Sequence, residues 1–456
     1  MGCGIASLTP FIRPSWWQVV VFSCALIQLL NWSQVCGEEL ISPLPESRPA
    51  DISTPVALDT WISNAPPAPT TPPLAASGKA DKNTVDGKTH EDGWWNGDLH
   101  IVPYGIGWLN VAYDSQRTSP GPFTLFANSR DIEPHDAFHV NIRATRLGLN
   151  FTGPDIELWK VTGRVEIDFF GAALTENRAG VLLRQAYAEM RYEGWRILGG
   201  QTNDVISPLN PNMLNYGVAY SAGNIGFRVP QLRLDHQWQP AEQIRLTSQG
   251  SLNRTLITDF ADTTAQEGHD AGWPTVMARW AIAWLPADDP QRVWEIGVSG
   301  HVGQEAVDFE TFPVQQDRIF NSWSLNADIR LPFTLQFGVQ GEFFIGQTLS
   351  TFLGGINQGI DPISRNSIQA VGGWADVWWR FHESWHWHAG YGIDDPRDEQ
   401  LSANRRARNQ LFFTNVVWDI SPHLSMGVEI SRWDTSFMNQ SPGQTWRGEM
   451  AMRYTF

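Results

Sequence analysis

Residues 446–456, which read WRGEMAMRYTF, alternate large apolar side chains with polar ones up to the final phenylalanine. A β-strand directs successive side chains to opposite faces, so the alternation predicts a strand with one apolar and one polar face. One face is therefore expected to avoid water and the other to meet it. The apolar parity holds Trp446, Met450, Met452, Tyr454 and Phe456, and the polar parity holds Arg447, Glu449, Arg453 and Thr455.

The same period of two recurs through most of the chain. In residues 334–346, for example, Phe337 and Val339 alternate with Gln336 and Gln340. Patterns of this kind predict strands rather than helices. Sixteen strands are predicted, at 97–113, 138–151, 160–170, 181–193, 195–202, 227–238, 243–251, 274–284, 292–302, 322–331, 334–346, 367–381, 385–394, 409–420, 423–434 and 445–456.

The connections between these strands alternate strictly between long and short. Up-and-down barrels of the outer membrane place long loops outside and tight turns in the periplasm. A soluble β-sandwich can show the same period of two, but it has no reason to alternate its loop lengths. The long connections are 114–137, 171–180, 203–226, 252–273, 303–321, 347–366, 395–408 and 435–444, and the short ones are 152–159, Gly194, 239–242, 285–291, 332–333, 382–384 and 421–422.

These two patterns predict an all-β fold, a transmembrane antiparallel up-and-down β-barrel of about sixteen strands. Every backbone N–H and C=O must be paired in hydrocarbon, so the sheet has to close. Strand 445–456 is therefore expected to pair with strand 97–113. Sixteen strands enclose more space than side chains fill, so water is expected inside.

Composition is consistent with a barrel. The mean hydropathy is −0.27 and the body of the chain has no run of 18 apolar residues, so no transmembrane helix is predicted. A barrel gives the same mean, because only alternate strand residues meet lipid. The 23 tryptophans suit the membrane–water interface. The net charge of −16 argues against nucleic acid as a partner.

The N-terminal region is read as an export and linker region. Apolar residues 16–30 follow Arg13 and precede Val35-Cys36-Gly37, which predicts a signal peptide over residues 1–37. Acylation of Cys36 as a lipoprotein is the rival reading. Residues 38–96 are rich in proline and small polar residues and are predicted to be a disordered periplasmic segment. The barrel domain is then 97–456.

The sequence also carries a family resemblance. A terminal strand ending in phenylalanine resembles the last strand of bacterial outer-membrane barrels. RLG at 146–148, VEIDF at 165–169, LRQAY at 183–187, GQT at 200–202 and RVPQ at 228–231 are the matching motifs. On these motifs the chain resembles the DcaP-like trimeric outer-membrane porins. The resemblance implies a sixteen-stranded homotrimer that passes small, often anionic, organic solutes. The proline-rich segment departs from the N-terminal coiled coil of that family.

The charged residues on the polar face of each strand are predicted to line the pore. Mutual salt bridges that stiffen the wall are the simpler interpretation of their alternating signs. The alternative is an arginine ladder that guides anions, because a low-dielectric tube focuses the field of its charges. The set comprises Arg164, Glu166, Asp168, Arg233, Asp235, Arg245, Arg330, Glu342, Arg380, Arg447 and Arg453.

The third long connection, 203–226, is the predicted constriction loop. It combines turn-forming Asn, Gly and Pro with apolar residues that suit packing against a wall. Its only acid is Asp204. An ordinary exposed loop is the alternative, which the apolar content disfavours. Asp204, Asn210, Asn212 and Tyr216 are the residues assigned to the constriction.

Histidine and aromatic residues near the strand ends allow more than one interpretation. Residues 382–386 match the H-E-x-x-H pattern, but the match straddles a predicted turn between strands, so no metal site is predicted. His386 and His388 share an inward face and remain a weak metal candidate. The aromatic residues at strand ends are read as interfacial girdles, whereas Trp374 and Trp378 face inward and leave an aromatic slide for sugars open.

The sequence therefore predicts an outer-membrane porin, a passive diffusion channel for small hydrophilic solutes. A surface barrel whose loops bind a partner is the alternative function. No catalytic triad, nucleotide loop or paired-carboxylate site is found, so no enzymatic activity and no cofactor are predicted. The expected partners are outer-membrane lipid, the permeating solutes and two further copies of the chain.

Overall fold

The computed structural model describes residues 93–171, 178–254, 256, 271–287, 289, 292–309 and 318–456. The predicted signal peptide, the cysteines and most of the proline-rich segment lie outside them. The strands are β1 (Trp94–Asn96), β2 (Leu99–Asp114), β3 (Thr118–Pro120), β4 (Thr124–Ala127), β5 (Ala137–Asn141), β6 (Arg146–Thr152), β7 (Lys160–Gly171), β8 (Gly180–Tyr192), β9 (Trp195–Asn203), β10 (Arg228–Ala241), β11 (Ile244–Asn253), β12 (Thr275–Trp284), β13 (Trp294–Val307), β14 (Arg318–Pro332), β15 (Phe337–Gln347), β16 (Gln369–His382), β17 (Trp385–Pro396), β18 (Arg406–Asp419), β19 (Leu424–Phe437) and β20 (Gln440–Thr455).

These strands form a closed barrel. From β6 onward each strand pairs antiparallel with the next, and β5 and β6 together occupy one position beside β2. The seam is made by β2 and β20, in a register that runs from Ile106 opposite Thr455 to Asp114 opposite Arg447. Counting β5 and β6 as one, sixteen strands surround the axis among the described residues. The predicted strand number and the predicted closing pair are confirmed.

The two faces of the wall differ as the alternation predicts. On β14, Leu325 is 60% exposed, whereas its neighbour Asn326 is buried. On β19, Val428 is exposed and Glu429 is buried. The exposed large apolar side chains of the wall thus point outward and most polar ones point into the lumen. Phe344 and Trp433 point inward and pack with buried residues of the connection between β9 and β10. A slip of one residue would turn the lumenal charges toward lipid, at about 2–4 kcal/mol for an arginine near the midplane.

The predicted second strand, 138–151, is interrupted. β5 ends at Asn141 and β6 begins at Arg146. In the break, the carbonyl of Arg143 accepts the N–H of Phe169 (3.0 Å), and Thr145 Oγ1 accepts the N–H of Trp108 (3.1 Å). A side chain and a displaced carbonyl therefore replace the regular ladder at this point.

The predicted long connection at 435–444 is wrong. β19 continues to Phe437 and β20 begins at Gln440, so that two residues join them. The second of these, Asn439, has φ 59°, a conformation that asparagine adopts more readily than most residues. Pro442 and Gly443 suggested a loop, but they belong to β20, and Gly443 lies opposite Thr435.

The short turns lie at one end of the barrel, and several exposed aromatic residues lie beside them. β16 ends at His382 and β17 begins at Trp385, so the H-E-x-x-H match lies across a hairpin turn. Trp385 stacks on Trp418 with ring centroids 5.4 Å apart near the same rim. Exposed rings at this level suit a membrane interface. Within the described part of the chain, no helix has the length and apolarity needed to span a bilayer.

Candidate permeation pathway

Residues 204–227, which connect β9 to β10, lie inside the barrel and are called the inner loop below. The main-chain N–H groups of this loop donate to carboxylates on wall strands β15, β16 and β19. Because those strands stand on the far side of the barrel from β9 and β10, the loop crosses the lumen. The bonds join Leu209 N to Glu342 Oε1 (2.7 Å), Asn212 N to Asp376 Oδ2 (2.5 Å) and Leu214 N to Glu429 Oε2 (2.6 Å).

Tyr216 anchors the inner loop to another part of the wall. Its hydroxyl donates to Asp168 Oδ2 on β7 (2.6 Å), and its ring stacks on that of Phe170 with centroids 4.2 Å apart. Arg184 on β8 donates to the same carboxylate at 2.7 Å and to the Tyr216 hydroxyl at 3.2 Å. Burial raises the pKa of Tyr216 far above its usual value, so this phenol stays a neutral hydrogen-bond donor.

Most of the inner loop is buried. Among its residues, those that keep some exposure are Ser207, Pro208, Leu209, Asn210 and Asn212. The main-chain carbonyl of Asn212 accepts Asn415 Nδ2 on β18 at 2.8 Å. The accessible rim of the loop therefore consists of uncharged side chains.

Asp204, the single acid of the loop, is turned away from this rim. It is 5% exposed, and its carboxylate accepts the N–H groups of Phe227 (2.6 Å) and Ile206 (3.2 Å). Burial raises its pKa to about 7, although the two N–H donors act in the opposite direction. The carboxylate fastens the two ends of the loop together and adds no exposed charge to the lumen.

Glycine permits the close approach of loop and wall. Gly223 has φ +112°, and a Cβ there would collide with the carbonyl of Gly373 on β16. On the wall side, a Cβ at Gly392 on β17 would collide with the carbonyl of Ala222. Backbone therefore lies directly against backbone at this contact, and a larger residue at either position would push the loop off the wall.

Two further long connections also enter the lumen, which the sequence analysis did not predict. The N–H of Gly226 donates to Phe352 O (2.9 Å), and Asn409 Nδ2 donates to both Leu125 O and Ser221 O (2.7 Å each). Three connections therefore share one apolar core inside the barrel. Its buried members from these connections are Phe123, Leu125, Phe126, Leu214, Tyr216, Val218, Tyr220, Phe227, Leu353 and Ile356.

The apolar residues of those two connections indicate that the connections are buried. PFTLFA at 122–127 and TFLGGI at 351–356 carry large apolar residues that a solvent-exposed loop would leave in water. The three connections therefore occupy part of the lumen.

Many of the predicted pore-lining charges are paired with each other or with residues that were not predicted. Arg233 and Arg196 both bond to Asp235, at 2.7 and 2.9 Å. Arg279, which was missed, donates to Asp328 at 2.5 Å and to Glu295 at 2.9 Å. The other such pairs are Arg184 with Glu166 (2.5 Å) and Asp168, Arg245 with Glu295 (3.7 Å), Arg380 with Asp419 (3.5 Å), and Arg447 with Asp114 (2.7 Å) and Glu449 (2.8 Å).

Three predicted arginines instead lie over aromatic rings. Arg453 lies 3.8 Å from the ring centroid of Trp108, and Arg330 lies 5.2 Å from that of Trp378. Arg164 lies 5.2 Å from the ring centroid of Tyr104 and donates to Asn150 Oδ1 at 2.8 Å. Within the described residues none of the three forms an ion pair. An arginine held by a ring keeps its full positive charge for the lumen.

No protein-family model matches the chain, and no curated protein matches it. Solved structures do resemble it. The outer-membrane channel DcaP of Acinetobacter baumannii is 17% identical, with a TM-score of 0.65, over 80% of this chain and 100% of that one. OmpF of Salmonella typhi, solved with daunomycin, is 10% identical with a TM-score of 0.50, over 80% and 99%. OmpT of Vibrio cholerae is 8% identical with a TM-score of 0.50, over 80% and 100%.

The likeness in shape agrees with the chemistry of the wall. In a closed antiparallel barrel, the backbone N–H and C=O groups of every strand are paired inside the bilayer, and the apolar outer belt meets lipid. Such barrels are proteins of the bacterial outer membrane. The chain is accordingly an outer-membrane β-barrel of sixteen strands, with the fold of the DcaP channel.

Proposed function

We propose that this protein is a porin, a passive channel for small hydrophilic solutes across the outer membrane, and that it favours anions. The observation that carries the proposal is the inner loop, which crosses the lumen and is fastened to the far wall by three carboxylates. A loop held in this way sets the width of a water-filled path rather than reaching out to solvent.

The charge arrangement supports a preference for anions. The acids nearest the inner loop, such as Glu342 and Asp376, accept loop N–H groups, and Asp376 is buried. By contrast, Arg330 is exposed in the lumen and has no ion-pair partner among the described residues. Small organic carboxylates, including dicarboxylates, are therefore the proposed solute class.

Planar-bilayer recording tests this function. The purified full-length protein is expected to form steady channels, and a KCl gradient is expected to give a reversal potential of the sign for chloride preference. A clear potassium preference would refute the anion preference. Liposome swelling with matched dicarboxylates, sugars and amino acids would then rank the solutes, and faster entry of dicarboxylates is expected.

A homotrimer is the proposed assembly. The outer wall offers small residues in register on neighbouring strands, with Ala188 on β8 opposite both Gly163 on β7 and Gly199 on β9. Such a surface allows a second copy to approach closely. Native mass spectrometry in detergent measures the assembly directly, and a monomer at all detergent concentrations would contradict the proposal.

One observation favours a second function, a surface barrel whose loops bind a partner. Three interlocked connections fill part of the lumen, and they leave less room for solute than one loop would. A folded, membrane-inserted protein that gives no conductance and no swelling would support this function in place of the porin.

A further inference from the structure

Two histidines meet at the lumenal face of the short-turn end of the barrel. His386 and His388 lie on the same face of β17, and Nδ1 of His386 is 2.7 Å from Nε2 of His388. The rings are nearly perpendicular, with centroids 4.9 Å apart. Asp419 on the neighbouring strand β18 places Oδ2 3.5 Å from Nε2 of His386. Both imidazoles are largely withdrawn from solvent, and His388 is 8% exposed.

The neighbours of this pair define its protonation. Asp419 favours a proton on Nε2 of His386, which leaves Nδ1 of that ring as a lone-pair donor directed at His388. The ring of His388 then supplies the N–H of the 2.7 Å bond from Nε2. Its Nδ1 is buried and has no hydrogen-bond partner among the described residues. A shift of the His388 proton from Nε2 to Nδ1 would turn both facing nitrogens into metal ligands.

The spacing suits a transition metal. Imidazole nitrogens bind Zn²⁺ at about 2.0–2.1 Å, so two ligands at a right angle are about 2.9 Å apart and two at a tetrahedral angle about 3.3 Å. The observed 2.7 Å needs to open by only a few tenths of an ångström for the right-angled arrangement. Square-planar Cu²⁺ and Ni²⁺ prefer that arrangement, and Cu²⁺ binds nitrogen ligands most strongly of the divalent series.

We propose that His386 and His388 form a two-imidazole site for Cu²⁺ or Ni²⁺ at the short-turn mouth of the barrel, with Asp419 orienting His386 and water completing the coordination. The described residues contain no group of three or more metal-ligating side chains, so the protein supplies two ligands. Nδ1 of His382 lies 3.0 Å from Ser384 Oγ, within the hairpin turn. Arg380, 3.5 Å from Asp419, adds a repulsive charge that the carboxylate offsets.

The site is independent of the proposed channel function, so it is tested by binding. Full-length protein without a histidine tag would be titrated with CuCl₂ in detergent, with isothermal calorimetry and electron paramagnetic resonance as readouts. We expect one Cu²⁺ per chain and hyperfine splitting from two nitrogens. His386→Gln and His388→Gln should each weaken binding at least tenfold. Asp419→Asn, which removes the orienting carboxylate, should weaken it about 10–100-fold while keeping the two-nitrogen spectrum.

His135→Gln is the matched control. This histidine is exposed on an extracellular connection. Its main-chain carbonyl accepts the N–H of Arg117, a bond that the change of side chain leaves in place. Its affinity for Cu²⁺ should equal that of the wild type. Absence of bound Cu²⁺ in the wild type, or equal affinity in the wild type and His388→Gln, would overturn the proposal. Retention of the two-nitrogen spectrum in both histidine variants would do the same, since the metal would then lie elsewhere.

Discussion

At the scale of single residues, the lumenal arginines occupy two chemical environments. Arg447, fully buried between Asp114 and Glu449, stiffens the seam, whereas Arg330 lies over a tryptophan ring and remains exposed. The sequence predicts that both face inward, because the period of two fixes the face. It does not predict the partner, because that depends on the register of the neighbouring strand and on irregularities such as the one between Glu166 and Ile167 on β7.

Replacement of Arg330 by glutamine should lower the chloride-to-potassium permeability ratio, by roughly twofold, because one unpaired lumenal cation is lost. Reversal potentials in a KCl gradient measure the ratio. Arg117→Gln is the control, since Arg117 is half exposed on an extracellular connection, 3.8 Å from Glu133. An equal effect of both variants would mean that the selectivity reflects net charge and not the position of Arg330.

Asp204 should make stability depend on pH. Its pKa is raised from 3.8 to about 7 in the folded protein, so its contribution is most favourable below about pH 4 and is lost as the pH rises through 7. Asp204→Asn removes this titration. The difference in urea unfolding midpoint, wild type minus variant, should therefore fall between pH 5 and pH 8. A difference that is constant over this range would contradict the assignment.

At the scale of elements, the inner loop is held by a repeated contact. Glu342, Asp376 and Glu429 stand on three wall strands, and each accepts a main-chain N–H from the loop. The sequence predicts that this connection enters the lumen, because it is rich in apolar residues. These three hydrogen bonds, called the latches, could not be predicted. Every non-proline residue has a main-chain N–H, and any of many inward acids could have accepted a bond from one.

Loss of two latches should free the loop. In Glu342→Ala/Asp376→Ala, both carboxylates are absent, so the N–H groups of Leu209 and Asn212 lose their acceptors. Single-channel recordings should show larger mean conductance with more frequent closures. The control is Asp434→Asn, which removes a carboxylate that pairs with Arg432 on the outer face of β19. Unchanged conductance in the double variant would show that the apolar core alone holds the loop.

At the scale of the whole molecule, the closing strand β20 reports the depth of the membrane. Met450 is exposed near the middle of the strand, and Gln444 lies on the same face near its extracellular end. Met450→Arg should lower the unfolding free energy in lipid vesicles by about 2–4 kcal/mol, and Gln444→Arg by about 0–1 kcal/mol. Equal losses at both positions would mean that this face does not contact the bilayer core.

The overall architecture was largely predictable from the sequence, and its interior was not. The alternation of apolar and polar residues determines which side chains meet lipid. Because every backbone N–H and C=O group must be paired, the sheet has to close, so the strands and the closing pair follow from the local sequence pattern. The packing of the connections depends on contacts between segments distant in sequence, such as Gly226 with Phe352. The short turn at Asn439 was missed because Pro442 and Gly443, residue types that usually mark loops, lie within β20.

The seam between β2 and β20 has a consequence for biogenesis. The two edges that meet there are encoded at opposite ends of the barrel sequence, and Gly105 exchanges main-chain bonds with Phe456 (3.0 and 3.1 Å). Until β20 is paired with β2, a partly made sheet keeps a bare edge that would recruit strands of other copies. Release of this protein into the bilayer is therefore expected to wait for β20, and products truncated before β20 should aggregate or be degraded.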